Sequence, residues 1–586
     1  MTQRTNNIPL QLSKYVILFV TLLLSGLSFL PAQNAWACGG LFCDNNQPVN
    51  QVAERILFAP DRDAGTMHMH VQLTYQGPPD DFGWLLPVPA GTQFGLSRPA
   101  LFSQLDNRYQ PTFRLNRVTA EYCAPQDDAG LVFAQAEESV RDSGDPSVQV
   151  TSQNQVGPYD QVTLNATSVE ALIEWLEANE YQIPPNAEES LSPYLEDYEF
   201  LAIKLASGRE SGDIQPVALS YTGNIASIPL RPTAVAADPD MGVIVHLLGP
   251  YRGIPSNYQL VELNLAALNW FNPTQHYAEL VSHAIDESED GHAFVTDFAG
   301  AHNFPATEIA PLISSALVLA MEGVRDSEQM FTTLERLLMN GTSADLRQVL
   351  LSALPLSRAD NLRLIAYASN ELSLIEPEGE PVQDRINSLI YDENGEPFDV
   401  DGAAIAQALR TYNDGGQSIQ RLFELNPYLT RLYTTLNPSE MNLDPSFDFN
   451  PDLEDVAKDR VAQLFLNCNG DGEYIVTPDG LEIDLSEERE EIARQNGETS
   501  RGLDTIGAAV ISRPMSSGQP EIITNQRDTL VQIYKRKVVD SSNAFGCDQS
   551  LSSTQSSWLS TALSLMLLFI FSLFLRQKSI HASKES

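Results

Sequence analysis

In the stretch TMHMHVQLTY, residues 66–75, apolar and polar side chains alternate without a break. Met67, Met69, Val71, Leu73 and Tyr75 fall on one side, and Thr66, His68, His70, Gln72 and Thr74 on the other. Successive side chains of a strand point to opposite faces, so the alternation requires a sheet with one buried and one wet face. QGPPDD then turns the chain. WLLPVP, residues 84–89, follows, and Pro87 and Pro89 confine it to an edge or an irregular extended segment because proline donates no ladder hydrogen bond. Residues 52–58, 200–205, 217–221 and 243–248 read as further strands. One helix interrupts them. Thr167 with Glu170 forms a capping-box pattern, Leu172, Ile173 and Leu176 make an apolar face, and Asn179 ends it.

From about residue 263 the period becomes helical. Ser327 caps a segment with Phe331, Leu334, Leu337 and Leu338 on one side, and Asn340-Gly341 stops it. Ser343 opens another, with Leu346, Val349 and Leu350, ending before Pro355. Closely joined amphipathic helices pack as a helical hairpin. No fixed internal period is present, which disfavours a solenoid. At 586 residues the chain exceeds one core's usual size. The expected fold class is α+β: a sheet-rich unit over 38–262 with one inserted helix, a mainly helical unit over 263–436, and a mixed, acidic unit over 437–548. The last carries an acidic helix over 485–495.

The two ends read as targeting segments. Arg4 and Lys14 precede the apolar residues 15–30, and Ala35-Trp36-Ala37 places small residues for cleavage before Cys38, so 1–37 is expected to be an export signal peptide. Residues 558–575 carry no charge and are long enough to cross a bilayer core. A Ser-rich linker, 549–557, precedes this transmembrane helix. Arg576, Lys578 and Lys584 follow in the tail, 576–586, which the positive-inside bias places in the cytoplasm. The expected location is the cell membrane, single-pass, with the large N-terminal region extracytoplasmic. FGCDQSLSSTQSS, the apolar segment and the basic tail also resemble tripartite sorting signals of bacterial surface proteins; an ordinary stop-transfer helix is the simpler reading.

Cys38, Cys43, Cys123, Cys468 and Cys547 lie in the exported portion, where oxidising conditions favour disulfides. Five is odd, so one is left over or modified. Lipidation of Cys38 would leave four, but Ala35 stands where a lipobox carries Leu, and Trp36 is bulky. Zinc lacks paired Cys-x-x-Cys or His partners. Disulfides are the favoured reading, with connectivity open.

Net charge is −42, from 77 acidic and 35 basic residues, which excludes a nucleic-acid partner because phosphates are repelled. With 43% apolar residues the chain can bury a sizeable core. Gly-x-Ser-x-Gly, His-Glu-x-x-His, Walker and Gly-x-Gly-x-x-Gly patterns are all missing. Three metal candidates remain. His68 and His70 share a strand face two residues apart, although a metal also needs a third ligand and supporting partners. In DESEDGHAFVTD, Asp286, Ser288, Asp290 and Asp297 fall at positions one, three, five and twelve of a calcium loop, with Gly291 at six. The loop departs from that motif at Ala293 and in having Asp297 instead of Glu, and an acidic turn leading into a strand is the simpler reading. His276, His283, His292 and His302 cluster along the chain at irregular spacing. NCNGDGEY, residues 467–474, has calcium-loop flavour but reads as a turn.

ACGGLFC, QVAERILF, LTYQGPPDDFGWLLPVP and ALIEWLEANEYQIP occur in order. They are followed by IKLASGRESGDIQPVALSYTGNIASIPLRPTAVAA, AFVTDFAG and LTRLYTTLNPSEMNLDPSFDFNPDLEDV. Over residues 38 to about 460 this order closely resembles the bacterial domain-of-unknown-function family DUF2330. The resemblance implies an exported envelope protein and carries over no catalytic residue. The expected function is a membrane-tethered ectodomain that binds an envelope protein, glycan or other envelope component. The rival is an envelope hydrolase, metal-assisted through His68 and His70 or the later histidine group.

Overall fold

The alternation at residues 66–75 produces the strand Thr66–Leu73, which lies inside the largest sheet. The computed structural model describes residues 37–38, 49–73, 82–119, 149–181, 183, 187–206, 214–234, 237–302, 305–339, 343–371, 382–466, 473–485 and 506–534. The expected signal peptide before Ala37, Cys43, Cys123, Cys468, Cys547, the acidic helix beyond Leu485, the Ser-rich linker, the 558–575 segment and the tail lie outside the described residues. Cys38 is described only as backbone, in the short strand Ala37–Cys38 parallel to Val49–Asp61. Among the described residues no helix is long and apolar enough to cross a membrane.

In space the main sheet runs Glu521–Asn525, Ala508–Arg513, Gln259–Leu263, Ala293–Ala301, Tyr428–Leu436, Ala237–Gly249, Val49–Asp61, Thr66–Leu73, Val217–Thr222, Gln93–Leu96. Two of these pairings are parallel: Val49–Asp61 with Ala237–Gly249, and Gln259–Leu263 with Ala293–Ala301. The fold is α+β, and this sheet draws strands from all three units expected from the sequence. Strands Ala293–Ala301 and Tyr428–Leu436 come from the stretch read as mainly helical.

One face behaves as the alternation demands. Met67, Met69 and Val71, with Ile56, Phe58, Val243 and Val245, pack against Trp84, Leu86, Val88, Leu201 and Ile203 of a second sheet. That sheet has the order Gly83–Pro89, Tyr198–Leu205, Tyr159–Asn165, Gln149–Val156, so the two prolines sit on an edge strand as expected. Helix Val169–Ala178 covers its back; Ser168, one residue after Thr167, is the N-cap, accepting from the Ala171 N–H at 3.2 Å.

The other face of the main sheet is not wet. Helices Ala100–Tyr109 and Gly402–Leu425 cover it, setting Leu101, Phe102, Leu105, Leu422 and Phe423 against Leu57, Ala59, Leu248 and Leu429. Each such fully buried Leu or Phe contributes roughly 1.5–3 kcal/mol. The alternation says which side chains share a face, and two distant helices decide what covers it. Five shorter helices, from Ser315–Glu322 to Val382–Ile390, build a separate core with the first half of Gly402–Leu425. Ser343 caps its helix as expected, whereas Asp326 rather than Ser327 caps Ser327–Leu338, and the buried Ser327 hydroxyl donates to the Ile390 carbonyl.

A four-stranded sheet, ordered Glu482–Asp484, Glu473–Val476, Asp459–Leu466, Thr112–Thr119, packs through Ala462, Leu464, Ile475 and Ile483 onto Trp270, Leu280 and Leu530. It closes one end of the molecule beside the edge of the main sheet.

Candidate functional site

Where that small sheet meets strands Gln259–Leu263 and Ala508–Arg513, a cleft of about 650 Å³ opens. Leu260, Val295, Leu481, Leu530 and Val531 form apolar walls, Arg252, Arg460 and Arg527 supply positive charge, and Glu262, Glu454 and Asp479 also line it. Arg252 is placed by a sharp turn. Strand Ala237–Gly249 ends in Gly249-Pro250, where a Cβ on Gly249 would come within 2.1 Å of the Phe449 ring, and the chain re-enters a strand at Arg252. The Arg252 Nη1 donates to the Glu454 carbonyl at 2.9 Å and Nη2 to the Thr296 hydroxyl at 3.2 Å, while its buried Nε has no partner among the described residues. Arg460, on strand Asp459–Leu466, donates through Nη2 to the Asp297 carbonyl at 3.1 Å. Neither guanidinium forms an ion pair among the described residues. Burial holds both below the ordinary arginine value, yet both remain cationic. Arg527 sits at the exposed rim, paired with Glu262.

Behind the cleft lies a β-bulge. Thr296 faces Leu432 and Phe298 faces Arg431, leaving Asp297 as the extra residue. Bulges re-aim side chains and are frequent beside active sites. Here Thr296 reaches Arg252, while Asp297, 0% exposed, accepts from the Tyr277 hydroxyl and the Arg431 guanidinium. Arg431 continues to Asp106 at 3.4 Å, and Asp106 accepts from Arg55 Nε at 2.9 Å. Two arginines and two aspartates thus neutralise each other inside the fold, and burial pushes the Tyr277 phenol up.

The structure disperses the residues singled out from the sequence. His68 and His70 do share a face, but it is the helix-covered one. His70 is 5% exposed, its Nδ1 is 2.7 Å from the Ser97 hydroxyl, and burial, with the His68 charge second, depresses it to about 3. Burial also lowers His68. Residues 286–297 run through a helix end, a short turn and a strand. Asp286 ends helix Pro273–Asp286, and the Ser288 hydroxyl donates to the Ile285 carbonyl at 2.6 Å. Asp290 takes a positive φ of 55° before strand Ala293–Ala301 begins. Asp297 is four residues into that strand, committed inward to Tyr277 and Arg431. His276 and His283 lie near Glu279 and Glu287 on or beside their own helix. His292 contacts the Glu440 carbonyl at 2.8 Å, and His302 the Asn426 carbonyl at 2.8 Å. Among the described residues no three of His, Cys, Asp or Glu are placed to hold a metal ion.

The residues that build the cleft, Arg252, Arg460, Thr296 and Leu530, left no local signature, because 278 positions separate the first from the last (530 − 252). Chemically the cleft offers guanidinium forks that match carboxylate or phosphate oxygens, set in an apolar surround. Residues 31–317, which include Arg252, Thr296 and Asp297 but neither Arg431 nor Arg460, match the family described as "Uncharacterized protein conserved in bacteria (DUF2330)". No curated protein and no solved structure matches the chain.

Proposed function

Through residues 31–317 the chain belongs to the bacterial family DUF2330, and from that premise we propose that it is an exported, membrane-held envelope protein whose cleft binds an anionic ligand. The observation that carries the binding reading is the pair Arg252 and Arg460. In a chain with 77 acidic residues against 35 basic ones, two half-buried guanidinium groups make no direct ion pair among the described residues and hydrogen-bond only neutral oxygens there. For both guanidinium groups burial outweighs the nearby carboxylates, Glu262 and Asp455 for Arg252 and Asp459 for Arg460, and a ligand anion in the cleft recovers part of the cost of burial. The acidic exterior repels anions in bulk, so selectivity rests on direct contact with the two forks. Export and tethering are supported by the signal-peptide pattern before Cys38, the uncharged residues 558–575 and the basic tail. The rival, a hydrolase using His68 and His70 or the later histidines, has none of those residues in the cleft lining.

Thermal denaturation of the purified full chain against acetate, phosphate and citrate tests this. A ligand that binds the native state alone raises the midpoint with concentration. The expected result is a rise with at least one of these anions that is lost in the Arg252→Gln, Arg460→Gln double variant. A midpoint indifferent to all three anions overturns the reading.

A further inference from the structure

We propose that the ligand is an amphiphile, a single acyl chain ending in a carboxylate or phosphate, taken up from a lipid surface against which the rim of the cleft rests. This rests on the anion-binding reading above and adds the chain, the source and the route.

The walls argue for the chain. A small inorganic anion needs donors and water, yet beside its arginines and the acidic Glu262, Glu454 and Asp479 this cleft is lined by Leu260, Val295, Leu481 and Leu530. Its volume of about 650 Å³ falls in the range of roughly 300–1,000 Å³ that encloses a drug-sized ligand, far more than phosphate fills. Each methylene removed from water against such walls strengthens binding about fourfold.

The rim argues for the source. Ile522, Ile523, Val531 and Ile533 are each between 44% and 60% exposed, within twelve residues of the chain. Two lie on Glu521–Asn525, the outermost strand of the main sheet, and two on helix Arg527–Ile533. Val531 also lines the cleft, so the exposed apolar lip and the interior meet at one side chain. Grouped exposed apolar side chains mark contact with a partner or a membrane.

Position in the chain and charge choose the membrane. Lys535, Arg536 and Lys537 follow directly on Tyr534 in the sequence, and the uncharged run begins at residue 558, 24 residues after Tyr534. Fully extended, that length spans at most about 80 Å, so the lip is within reach of the bilayer that 558–575 would enter. Basic residues beside apolar ones are drawn to anionic lipid surfaces. The arrangement gives a greasy lip at the water–lipid boundary, a largely apolar cleft beside it and arginines in its lining to hold a head group.

Membranes carrying the full chain are exposed to a palmitate analogue bearing a photoreactive diazirine, and in parallel to its methyl ester. The acid is expected to label peptides around Leu481 and Leu530 at least tenfold more than the ester. Excess oleate should abolish the labelling and excess acetate should not. Arg252→Gln with Arg460→Gln should remove it. Val531→Ser with Ile533→Ser changes only rim side chains and so preserves the fold; it should slow labelling several-fold at an unchanged thermal midpoint. Equal labelling by acid and ester, insensitive to the arginines, means mere partition into lipid and overturns the proposal. Small anions that stabilise the protein while palmitate fails to label it also overturn it, leaving the anion-binding reading intact. Failure of both probes removes both.

Discussion

Asp297 shows how one inserted residue shapes the surroundings of the cleft. Without the bulge it would sit in register on its strand; with it, the carboxylate turns inward onto Arg431 and Tyr277 while Thr296 reaches Arg252. Arg431 and Asp297 are 5% and 0% exposed, so removing Arg431 leaves the buried Asp297 charge uncompensated. Arg431→Met is expected to destabilise the fold by about 3–5 kcal/mol, read from the urea midpoint. Replacing both partners with apolar residues should cost less than the single change. A second residue-scale prediction concerns acid. Burial depresses His70 and His246 from 6.5 to about 3; for His246 the Arg431 charge adds to it, with Arg55 acting the same way and Asp106 opposing. Between pH 6.5 and about 3 the unfolded chain therefore binds protons at these sites that the folded chain refuses. Stability should fall as pH drops through that window, by up to about 1.4 kcal/mol per pH unit for each histidine. His246→Gln should flatten the slope of unfolding free energy against pH by one proton; an unchanged slope contradicts the assignment. Asp297 stood out in the sequence as an acid at a loop spacing, but its true partner, Arg431, lies 134 positions away, a pairing no local pattern can carry.

At the scale of elements, helix Gly402–Leu425 does most to organise the second face of the sheet. Its first turn presses against the end of helix Ser315–Glu322, where a Cβ on Gly402 would stand 2.3 Å from the Met321 carbonyl oxygen and 2.6 Å from that of Val324. Those are backbone atoms and cannot swing aside. Gly402→Ala is expected to cost about 1–3 kcal/mol through overpacking, visible as a lowered thermal midpoint. The period-two strands were the most legible elements: residues 200–205 and 217–221 became Tyr198–Leu205 and Val217–Thr222. Residues 243–248 grew to Ala237–Gly249, because the leading ADPD hid the strand's start. Caps slipped by one residue, from Thr167 to Ser168 and from Ser327 to Asp326, since neighbouring hydroxyls and carboxylates compete for the same orphan N–H groups. The long helix itself carries Asn413-Asp414-Gly415-Gly416, a run that reads as a turn. It stays helical because Gly416 lets the Arg98 guanidinium approach, donating to the Tyr412 carbonyl at 2.9 Å and to the Pro311 carbonyl at 2.8 Å.

For the whole molecule, the proposed location has a direct test. A reporter active only outside the cytoplasm, fused near residue 300 in living cells, should be active; a silent one, with a cytoplasm-dependent reporter active at the same site, removes export and tether together. The α+β class was readable from the change of period near residue 263, but the partition into three consecutive units was not a guide to the main sheet, whose strands span residues 49 to 525. That span also sets a timetable. The strand Val49–Asp61 leaves the ribosome early, yet one of its two flanking partners on the main path is Ala237–Gly249, and the sheet gains the two strands of one edge only after residue 508. Newly made chain must therefore wait until nearly all of it has been synthesised, with apolar strands such as Gln259–Leu263 half-paired until Ala508–Arg513 is made. A polypeptide obliged to stay loose that long is easily passed through a narrow pore, and equally exposed to clumping or proteolysis if passage stalls.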